Sequence, residues 1–481
     1  MKQRLHRSWL VAWMSVGLLG GTGLAFVTSP MLFYSHDWLA IAAVLLIVFM
    51  AQPRRAFVVL AVACGLLIGL WRGSSLRISL ESYQPYYGKN LQLRGKISED
   101  TTYGPRGDQR LRLSEIQIEQ NHLPGTVWIS TTSGANLKRG DYVTLMGQLS
   151  QGFGTMAASL HRAELIGVEH PHPGDVARRV RDWFSSGVRR SIPEPEASLG
   201  VGYLTGQRSA LPETLDEQLR AVGLTHIVVA SGYNLTILVR FARRLFSRTS
   251  KYLAALSAAT MIGGFTLITG FSPSMSRAGL VAGLSLAAWY YGRVIHPLVL
   301  LPVSAAITVL INPTYLWGDI GWYLSFVSFA GIIILAPLLQ HYFWGQAKKP
   351  GFARQILVDT FSAQLITLPL IIFAFGQYSG YALLANLLVL PVVPVIMLLT
   401  FIGGLAGILS VTVGSFIGLP ATFLLKYTTS IVAWIASLPG ARGETSIDIF
   451  ELLASYVVLG LLMVLLWRRT SHNFRHGSLV E

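Results

Sequence analysis

The sequence predicts a polytopic α-helical membrane protein of about twelve spans with one external all-β domain. Of the 481 residues, 52% are hydrophobic and 13% are charged, and the mean hydropathy is +0.51. A soluble globular chain carries about 25% charged residues, so this composition places the chain in a bilayer. Apolar runs that could span a membrane recur along the chain, and one long segment between them alternates as β-strands do.

Three apolar runs open the chain and predict N-terminal transmembrane helices within residues 1–71. The runs lie near residues 9–27, 38–51 and 56–71. The first run has no evident cleavage site, so we interpret it as an uncleaved helix rather than a signal peptide. Lys and Arg accumulate in cytoplasmic loops, so the basic N-terminus and the basic Gln52–Arg55 turn predict that the third run leads outside.

Residues 72–170 interrupt the membrane pattern and predict the external domain. Apolar and polar residues alternate in four stretches bounded by turn residues: Leu91–Ile97, Gln109–Ile118, Thr126–Thr131 and Tyr142–Leu149. Short strands joined by turns and a glycine-rich link favour a small OB-like barrel, with a β-sandwich as the alternative. Residues 171–205 then predict a linker and a basic amphipathic helix on the membrane surface, because Arg and apolar residues recur there at helical spacing.

Residues 206–470 predict a second membrane domain, and 471–481 a cytoplasmic tail. Its apolar runs lie near residues 225–241, 252–270, 274–292, 296–311, 315–337, 356–375, 380–409, 414–438 and 449–467. Cationic residues concentrate in Arg240–Lys251, Lys348–Arg354 and Arg468–Arg475, which predicts that these loops are cytoplasmic. No inverted repeat of the kind found in many secondary transporters is evident.

The formal net charge of +15 has two possible explanations. Cytoplasmic loops of any membrane protein are rich in Lys and Arg, which accounts for much of this charge. A polyanionic partner would account for more of it. The single cysteine, Cys64, excludes an intrachain disulfide.

Two motifs suggest cofactor or metal chemistry, but each is incomplete. Gly200, Gly202 and Gly206 resemble a nucleotide-binding loop, but Gln207 stands where a Walker A loop needs its lysine. The His170–Asp175 segment resembles the start of a metallohydrolase cluster, but no second group of His and Asp ligands follows it. We therefore predict no metal and no cofactor.

A catalytic serine is the remaining enzymatic alternative. Ser231 within Ala-Ser-Gly resembles the nucleophile of intramembrane proteases, which needs a base within hydrogen-bond reach. On one helix, His226 would point about 140° away from it. We predict no catalytic residue and no enzyme, and keep an intramembrane hydrolase and a small-solute permease as alternatives.

Five segments place polar residues where a bilayer makes them costly. They are Gly206–Ser209 with Pro212–Arg220, Thr225–Asn234, Ser272–Arg277, Gly318–Ser325 and Gln364–Asn386. A charged residue inside a span costs roughly 2.5–3.5 kcal/mol, so it normally faces a cavity or a partner. Arg277 and Asp319 are predicted near the outer ends of their helices, where they could pair. An ion pair that only fixes helix packing is the alternative to a functional role.

These segments resemble, in order, the motifs of the ComEC family of competence proteins. The matching segments are Gly206–Ser209 with the helix Leu215–Arg220, Gly223–Gly232, Pro273–Ala278, Asn312–Phe326 and Ala363–Pro391. Five ordered motifs are far more specific than any one of them, and the N-terminal helices with an OB-like domain also match the family. Tyr233 and Asn234 depart from it, because relatives often have an apolar residue and a histidine there.

The resemblance implies a channel that imports single-stranded DNA across the cytoplasmic membrane during natural transformation. Many relatives continue into a metallo-β-lactamase-like domain, and the sequence resembles the form without it. We therefore expect a separate nuclease, a DNA receptor and uptake pilus outside, and a cytoplasmic translocase or strand-binding proteins inside.

Single strands are held by basic grooves and aromatic stacking, which guides the choice of site residues. For the pore, the sequence and the resemblance predict Arg208, Arg220, His226, Ser231, Asn234, Ser276, Arg277, Asp319, Ser325, Gln364 and Asn386. For the external domain, the predicted contacts are Arg94, Lys96, Tyr103, Arg110, Arg112, Trp128, Lys138 and Arg139. Scattered surface charge is the alternative for the external set.

Overall fold

The computed structural model describes residues 7–51, 58–104, 107–208, 211–228, 232–270, 273–293, 295–345 and 351–471. The chain forms two compact units. The first unit comprises Met1–Arg178 and Pro302–Asp319, and the second comprises Arg179–Leu301 and Ile320–Glu481.

Three helices open the first unit: α1 (Arg7–Val27), α2 (Asp37–Ala51) and α3 (Val58–Glu81). Helices α1 and α3 approach closely, because each carries two glycines four residues apart, at 17 and 21 and at 65 and 69. A Cβ on Gly21 would lie 2.0 Å from the carbonyl oxygen of Leu66, and one on Gly65 would lie 1.9 Å from that of Met14. Small residues therefore allow backbone-to-backbone packing in this predicted membrane region.

The described part of the first unit continues with a 7-stranded sheet. Its strands are β1 (Asn90–Ile97), β2 (Thr102–Tyr103), β3 (Gln109–Ile118), β4 (Asn121–Leu123), β5 (Val127–Thr131), β6 (Tyr142–Gln151) and β7 (Ala158–Glu169). Strand β1 pairs with both β6 and β3, so the order β1-β6-β7-β5-β3 closes on itself as a barrel. The β5–β7 pair is parallel, and the other four pairs of the ring are antiparallel.

The barrel core takes residues from every strand of the ring. Leu93, Leu113, Ile129, Leu145 and Leu160 come from the five strands in turn, and all five are fully buried. The alternation read from the sequence thus predicts the inward residues of β1, β3, β5 and β6.

Strand β7 was not predicted, because a bulge breaks its alternation. Arg162 has a φ of +52°, and the pairing of β7 with β5 shifts register beside it. As a result, His161 and Arg162 are both exposed between the buried Leu160 and Ala163. A search for strict alternation therefore misses a strand that contains a bulge.

Sixteen more helices are described beyond the barrel. They are α4 (Val176–Ser191), α5 (Glu196–Thr205), α6 (Glu213–Ala221), α7 (Thr225–Val228), α8 (Gly232–Phe246), α9 (Lys251–Thr269), α10 (Pro273–Tyr290), α11 (Pro297–Ile311), α12 (Thr314–Gly318), α13 (Ile320–Ala330), α14 (Ala336–Trp344), α15 (Phe352–Phe375), α16 (Ala382–Val389), α17 (Val393–Leu409), α18 (Val411–Ala436) and α19 (Ile449–Thr470). A π-helical turn, Gly331–Leu335, joins α13 to α14, and short strands β8 (Gln377–Ser379) and β9 (Arg442–Glu444) pair.

All ten residues of helix α5 are buried. A Cβ on Gly200 would lie 2.9 Å from Thr400 Cγ2, and one on Gly202 would lie 2.5 Å from Val228 Cγ1. The glycines that resemble a nucleotide loop are therefore packing residues of a buried helix.

Seven of the described helical segments are long and apolar enough to cross a membrane. They are Ser8–Val27, Val58–Tyr86, Lys251–Thr269, Ile320–Trp344, Ala353–Phe375, Val411–Ala436 and Ile449–Thr470. The pair α16 and α17, bent by 51°, could add an eighth. The four remaining predicted runs form α2, α8, α10 and α11, which are 15, 15, 18 and 15 residues long. The total of about twelve spans stays a prediction.

Candidate functional site

Two arginines and one carboxylate form a network at the end of α5. Gly206 ends α5 in the left-handed conformation, with a φ of +72°. Arg208 Nε and Nη2 donate to the two carboxylate oxygens of Asp216 over 2.7 and 3.0 Å. Arg220, one turn after Asp216 on α6, places Nη2 2.8 Å from Asp216 Oδ2. The structure thus brings together Arg208 and Arg220, two of the predicted pore residues.

The Arg208–Asp216–Arg220 network keeps one net positive charge. Burial alone would raise the pKa of Asp216, but hydrogen bonds and charges from Arg208 and Arg220 outweigh it and hold the pKa below its ordinary value. The side chain of Arg220 is 60% exposed. A guanidinium has five N–H donors, so Arg220 retains donors for an anion.

His226 and Asn234 have different surroundings. Asn234 is fully buried, and its Nδ2 donates to the carbonyls of Tyr203 and Ile227 over 3.1 Å each, which ties α8 to α5 and α7. The exposed His226 places its Nδ1 3.0 Å from the carbonyl oxygen of Gly223. Ser231 lies outside the described residues.

Arg277 is the cationic centre of the second polar group. Its Nε donates to Ser325 Oγ over 2.5 Å, and Ser274 Oγ lies 3.3 Å from the same hydroxyl. The guanidinium carbon lies 5.9 and 5.3 Å from the ring centres of Phe326 and Phe329. The Ser325 hydroxyl and two ring faces therefore solvate this cation. Ser276, the adjacent predicted residue, is half-buried on α10.

Gly232 gives the Arg277 guanidinium its space. A Cβ on Gly232 would lie 3.1 Å from Arg277 Nη2 and 3.2 Å from Ala278 Cβ. The glycine of the Gly223–Gly232 motif is thus matched to the arginine of the Pro273–Ala278 motif. Asp319 belongs to the first unit, and its predicted pairing with Arg277 stays a prediction.

At the bend between α16 and α17, two backbone carbonyls lack their helical hydrogen-bond donors, and two tyrosine hydroxyls donate to them instead. Pro394 has no N–H, so it cannot bond to the Leu390 carbonyl, which instead accepts from the Tyr233 hydroxyl over 3.3 Å. The amide of Val392 bonds to Val389, and the Leu388 carbonyl accepts from the Tyr427 hydroxyl over 3.3 Å. Broken helices in membranes need such partners.

Two predicted pore residues carry buried acceptor atoms without a described partner. Asn386 donates through Nδ2 to the Ala382 carbonyl over 2.8 Å, but its Oδ1 accepts no described hydrogen bond. The same holds for Oε1 of Gln364 and for Oγ of the nearby Ser362 on α15. Buried polar atoms are nearly always paired, so each of these atoms is a candidate to line a polar passage.

A cavity of about 580 Å³ opens beside α6. Thr214 and Gln218 of α6 line it, together with Glu194, Thr429 and Ser430. Leu215 and Leu219 of the same helix are buried, so α6 presents polar residues on either side of an apolar stripe.

The barrel carries an aromatic surface formed by Trp128 on β5, His161 on β7 and Phe153 in the loop between β6 and β7. The Trp128 ring lies 5.6 Å from that of Phe153 and 5.1 Å from that of His161, and Phe153 is 54% exposed. Arg112 of β3 is the direct neighbour of Trp128 in the sheet. Sequence reasoning found Trp128 and Arg112 but missed Phe153 and His161, which lie in a loop and beside the β7 bulge.

The predicted cations of the barrel are mostly paired with carboxylates. Arg94 pairs with Glu169, Lys96 with Glu115, Arg110 with Asp108 and Arg112 with Glu99. Hydrogen bonds from Tyr142 and then Lys96 hold the pKa of Glu115 below its ordinary value. Such exposed pairs contribute about 0–1 kcal/mol, so a phosphate can replace the carboxylate partner.

Tyr103, Lys138 and Arg139 differ in their accessibility. The first two are exposed. Arg139 is buried, and its Nε donates to Asp175 Oδ2 over 2.6 Å, so a strand could reach it only if this pair opened. His170 Nδ1 lies 3.2 Å from Asp141 Oδ1, on a different carboxylate. Within the described ranges, no group of three or more His, Cys, Asp or Glu side chains is placed to hold a metal.

The chain is similar to proteins named for competence. A family model described as "Competence protein" matches residues 203–469. The chain is 23% identical over 287 residues to ComE operon protein 3 of Bacillus subtilis (strain 168), which covers 59% of this chain and 35% of that protein. It is 26% identical over 279 residues to the competence protein ComA of Neisseria gonorrhoeae, covering 54% and 37%. The chain thus spans about a third of the length of these relatives, and no solved structure matches it.

Proposed function

This chain belongs to the Competence protein family, and from that membership we propose that it forms a channel for single-stranded DNA across the cytoplasmic membrane during natural transformation. The relatives are named for competence, and the apolar helices of this chain suit a membrane protein. The strand is the substrate of the proposed channel, and its phosphates require cationic or hydrogen-bonding groups along the path.

The observation that carries the proposal is the meeting of three sequence motifs at Arg277. Gly232, Arg277 and Ser325 come from separate segments, yet the glycine leaves room for the guanidinium and the serine hydroxyl accepts its hydrogen bond. A cation retained inside a predicted span marks a pathway by default. Arg277 would donate to passing phosphates through its Nη atoms.

The remaining predicted pore residues extend this path in our proposal. Arg208 and Arg220 together with Asp216 leave one net positive charge. This charge attracts a phosphate, but it binds the phosphate less strongly than two arginines without a carboxylate would. Gln364 and Asn386 supply acceptors that suit base edges or water. We retain His226, Ser231, Asn234, Ser276, Asp319 and Ser325 in the proposed path, with Asn234 in a supporting position.

We further propose that the barrel is of the OB type and guides the strand to the pore. A closed ring of five strands with a single parallel pair supports this proposal. The aromatic surface would stack bases, and Arg110, Arg112 and Lys138 would hold phosphates. Arg94, Lys96 and Tyr103 would contribute from other faces of the barrel.

The proposed topology places the barrel outside and both termini inside, with about twelve spans. The cationic loops, including Arg240–Lys251, would then be cytoplasmic. We propose that an uptake pilus and receptor deliver DNA, a separate nuclease degrades one strand, and a translocase or strand-binding proteins draw in the other. In this proposal the chain performs no catalytic step itself.

Deletion of the gene tests the proposal, with surface-bound and internalised DNA measured separately. We expect duplex DNA to remain bound at the surface while DNA disappears from the cytoplasm, with growth on varied solutes unchanged. Normal internalisation would reject the channel. A growth defect on one solute with normal uptake would indicate a permease.

A further inference from the structure

The loop between α8 and α9, which the proposed topology places in the cytoplasm, carries a basic cluster that the channel proposal does not use. We define the basic cluster as Arg240, Arg243, Arg244, Arg248 and Lys251. Arg243 is half-buried and the other four are exposed. The cluster therefore presents several cations on one end of the helices α8, α9 and α10.

Aromatic side chains of α10 hold part of the basic cluster in place. The Arg243 guanidinium carbon lies 5.2 Å from the Trp289 ring centre, and the Lys251 ammonium lies 5.9 Å from that ring and 5.5 Å from the Tyr290 ring. Ser257 Oγ also donates to the Ala242 carbonyl over 3.2 Å, which joins α8 to α9. Arg243 and Lys251 thus have fixed positions, which a role in topology alone does not require.

The protein supplies little negative charge to this region. The sequence contains no Asp or Glu between Glu217 and Asp319. Within the described residues, Arg244, Arg248 and Lys251 form no ion pair. The N-terminus of α9 at Lys251 places the positive end of one helix dipole here, and the C-termini of α8 and α10 place two negative ends. An anion from outside the chain would balance this excess of cations.

The location of the basic cluster selects the kind of anion. Helix α9 is a candidate span that begins at Lys251, so the cluster lies where phospholipid headgroups meet a span. Leu245 and Tyr252, beside the cations, are 60% and 63% exposed. A single strand of DNA would use the cations and rings, but it would leave the exposed leucine in water. Lipid acyl chains would cover it.

We infer that the basic cluster is a binding site for anionic phospholipids, with the phosphodiester headgroup held by Arg244, Arg248 and Lys251 and the acyl chains against Leu245 and Tyr252. Clusters of four or more Lys and Arg at the cytoplasmic end of a span have this chemistry. The site is distinct from the proposed DNA path and does not depend on it.

The test compares binding of phosphatidylglycerol and phosphatidylcholine to the purified full-length chain in detergent, by native mass spectrometry. Arg248→Gln with Lys251→Gln should lower the affinity for phosphatidylglycerol by about tenfold or more and leave phosphatidylcholine unchanged. The matched control is Lys89→Gln with Arg162→Gln, which removes two exposed charges from the barrel. This control should change phosphatidylglycerol binding less than twofold.

A second variant preserves every charge, so it leaves the charge bias of the loop unchanged. Trp289→Leu removes the ring beneath Arg243 and Lys251, and it should weaken phosphatidylglycerol binding severalfold. Unchanged phosphatidylglycerol binding in both variants would overturn the inference. So would loss of binding to a single-stranded oligonucleotide in the charge variant while phosphatidylglycerol binding persists, because that result assigns the cluster to nucleic acid.

Discussion

Arg277 is the residue whose environment is hardest to explain by packing alone. A guanidinium inside a predicted span costs roughly 2.5–3.5 kcal/mol. The hydrogen bond to Ser325 and the rings of Phe326 and Phe329 offset part of this cost. An apolar residue in the same place would avoid the cost altogether. The charge at this position therefore suggests a task that the charge performs.

Arg277→Ala should lower the internalisation of DNA at least tenfold while the protein still inserts, because the variant removes the cation and leaves its neighbours in place. Arg277→Lys should retain partial uptake, since it keeps the charge but loses the planar donors. Internalised labelled DNA measures the effect. The control is Arg293→Ala, which removes an exposed arginine from the turn after α10.

The double variant Arg277→Ala with Asp319→Ala separates function from packing. If Arg277 serves only to neutralise Asp319, removing both charges leaves no orphan charge and should restore uptake. We expect the double variant to stay as defective as Arg277→Ala. Rescue would refute the contact with DNA and support a packing role.

At the level of elements, the bent pair α16 and α17 depends on two hydroxyls from other helices. Tyr233→Phe and Tyr427→Phe each leave a helix-break carbonyl without its donor, at a cost of about 1 kcal/mol each. Each variant should lower the Tm by a few degrees, with a larger drop in the double variant. Tyr34→Phe, which alters an exposed tyrosine, is the control. An unchanged Tm in the double variant would show that the bend does not need these bonds.

The Arg208–Asp216–Arg220 network should respond to acid. Its carboxylate has a pKa below the ordinary value, so the ion pairs stabilise the fold above about pH 4 and are lost as the pH falls through the folded-state pKa. Asp216→Asn should lower the free energy of unfolding at pH 7 by about 1–3 kcal/mol. Thermal unfolding from pH 7 to pH 3 checks this. The difference between wild type and variant should shrink at low pH, and a constant difference would contradict the ion-pair origin.

Strands and helices could be predicted from the sequence where regular alternation or a continuous apolar run extends along the whole element. Alternation located β1, β3, β5 and β6 within one or two residues, but the Arg162 bulge hid β7. Apolar length located the helices, but the run near 315–337 divides because α12 ends at Gly318 and a new helix begins at Ile320. Periodicity carries no signal for such local breaks.

For the whole molecule, the sequence named candidate residues, and the structure adds the contacts between them. The five motifs named Arg208, Arg220 and Arg277, and the structure adds the partners Asp216, Tyr233 and Gly232. Asp216 carried a signal in its spacing of four residues from Arg220. The contacts of Tyr233 and Gly232 join distant segments, so no local pattern could reveal them.

Binding of single strands to the full-length chain should fall steeply as salt rises, because phosphate contacts release counterions. Trp128→Ala with Phe153→Ala should weaken binding by about 1–3 kcal/mol for each base that stacks on the aromatic surface. Met146→Ala, which alters another exposed apolar residue of the barrel, is the control. A flat salt response would leave the barrel without a role in holding the strand.

Photocrosslinking during DNA uptake tests most directly whether the strand passes Arg277. A photoreactive phenylalanine analogue replaces Phe329, whose ring centre lies 5.3 Å from the Arg277 guanidinium carbon, or Phe416, which is 77% exposed on α18. Cells then take up labelled DNA under illumination. We predict a crosslink to single-stranded DNA from position 329 and none from position 416. Normal uptake without a crosslink at 329, or equal crosslinks at both positions, would contradict a path beside Arg277.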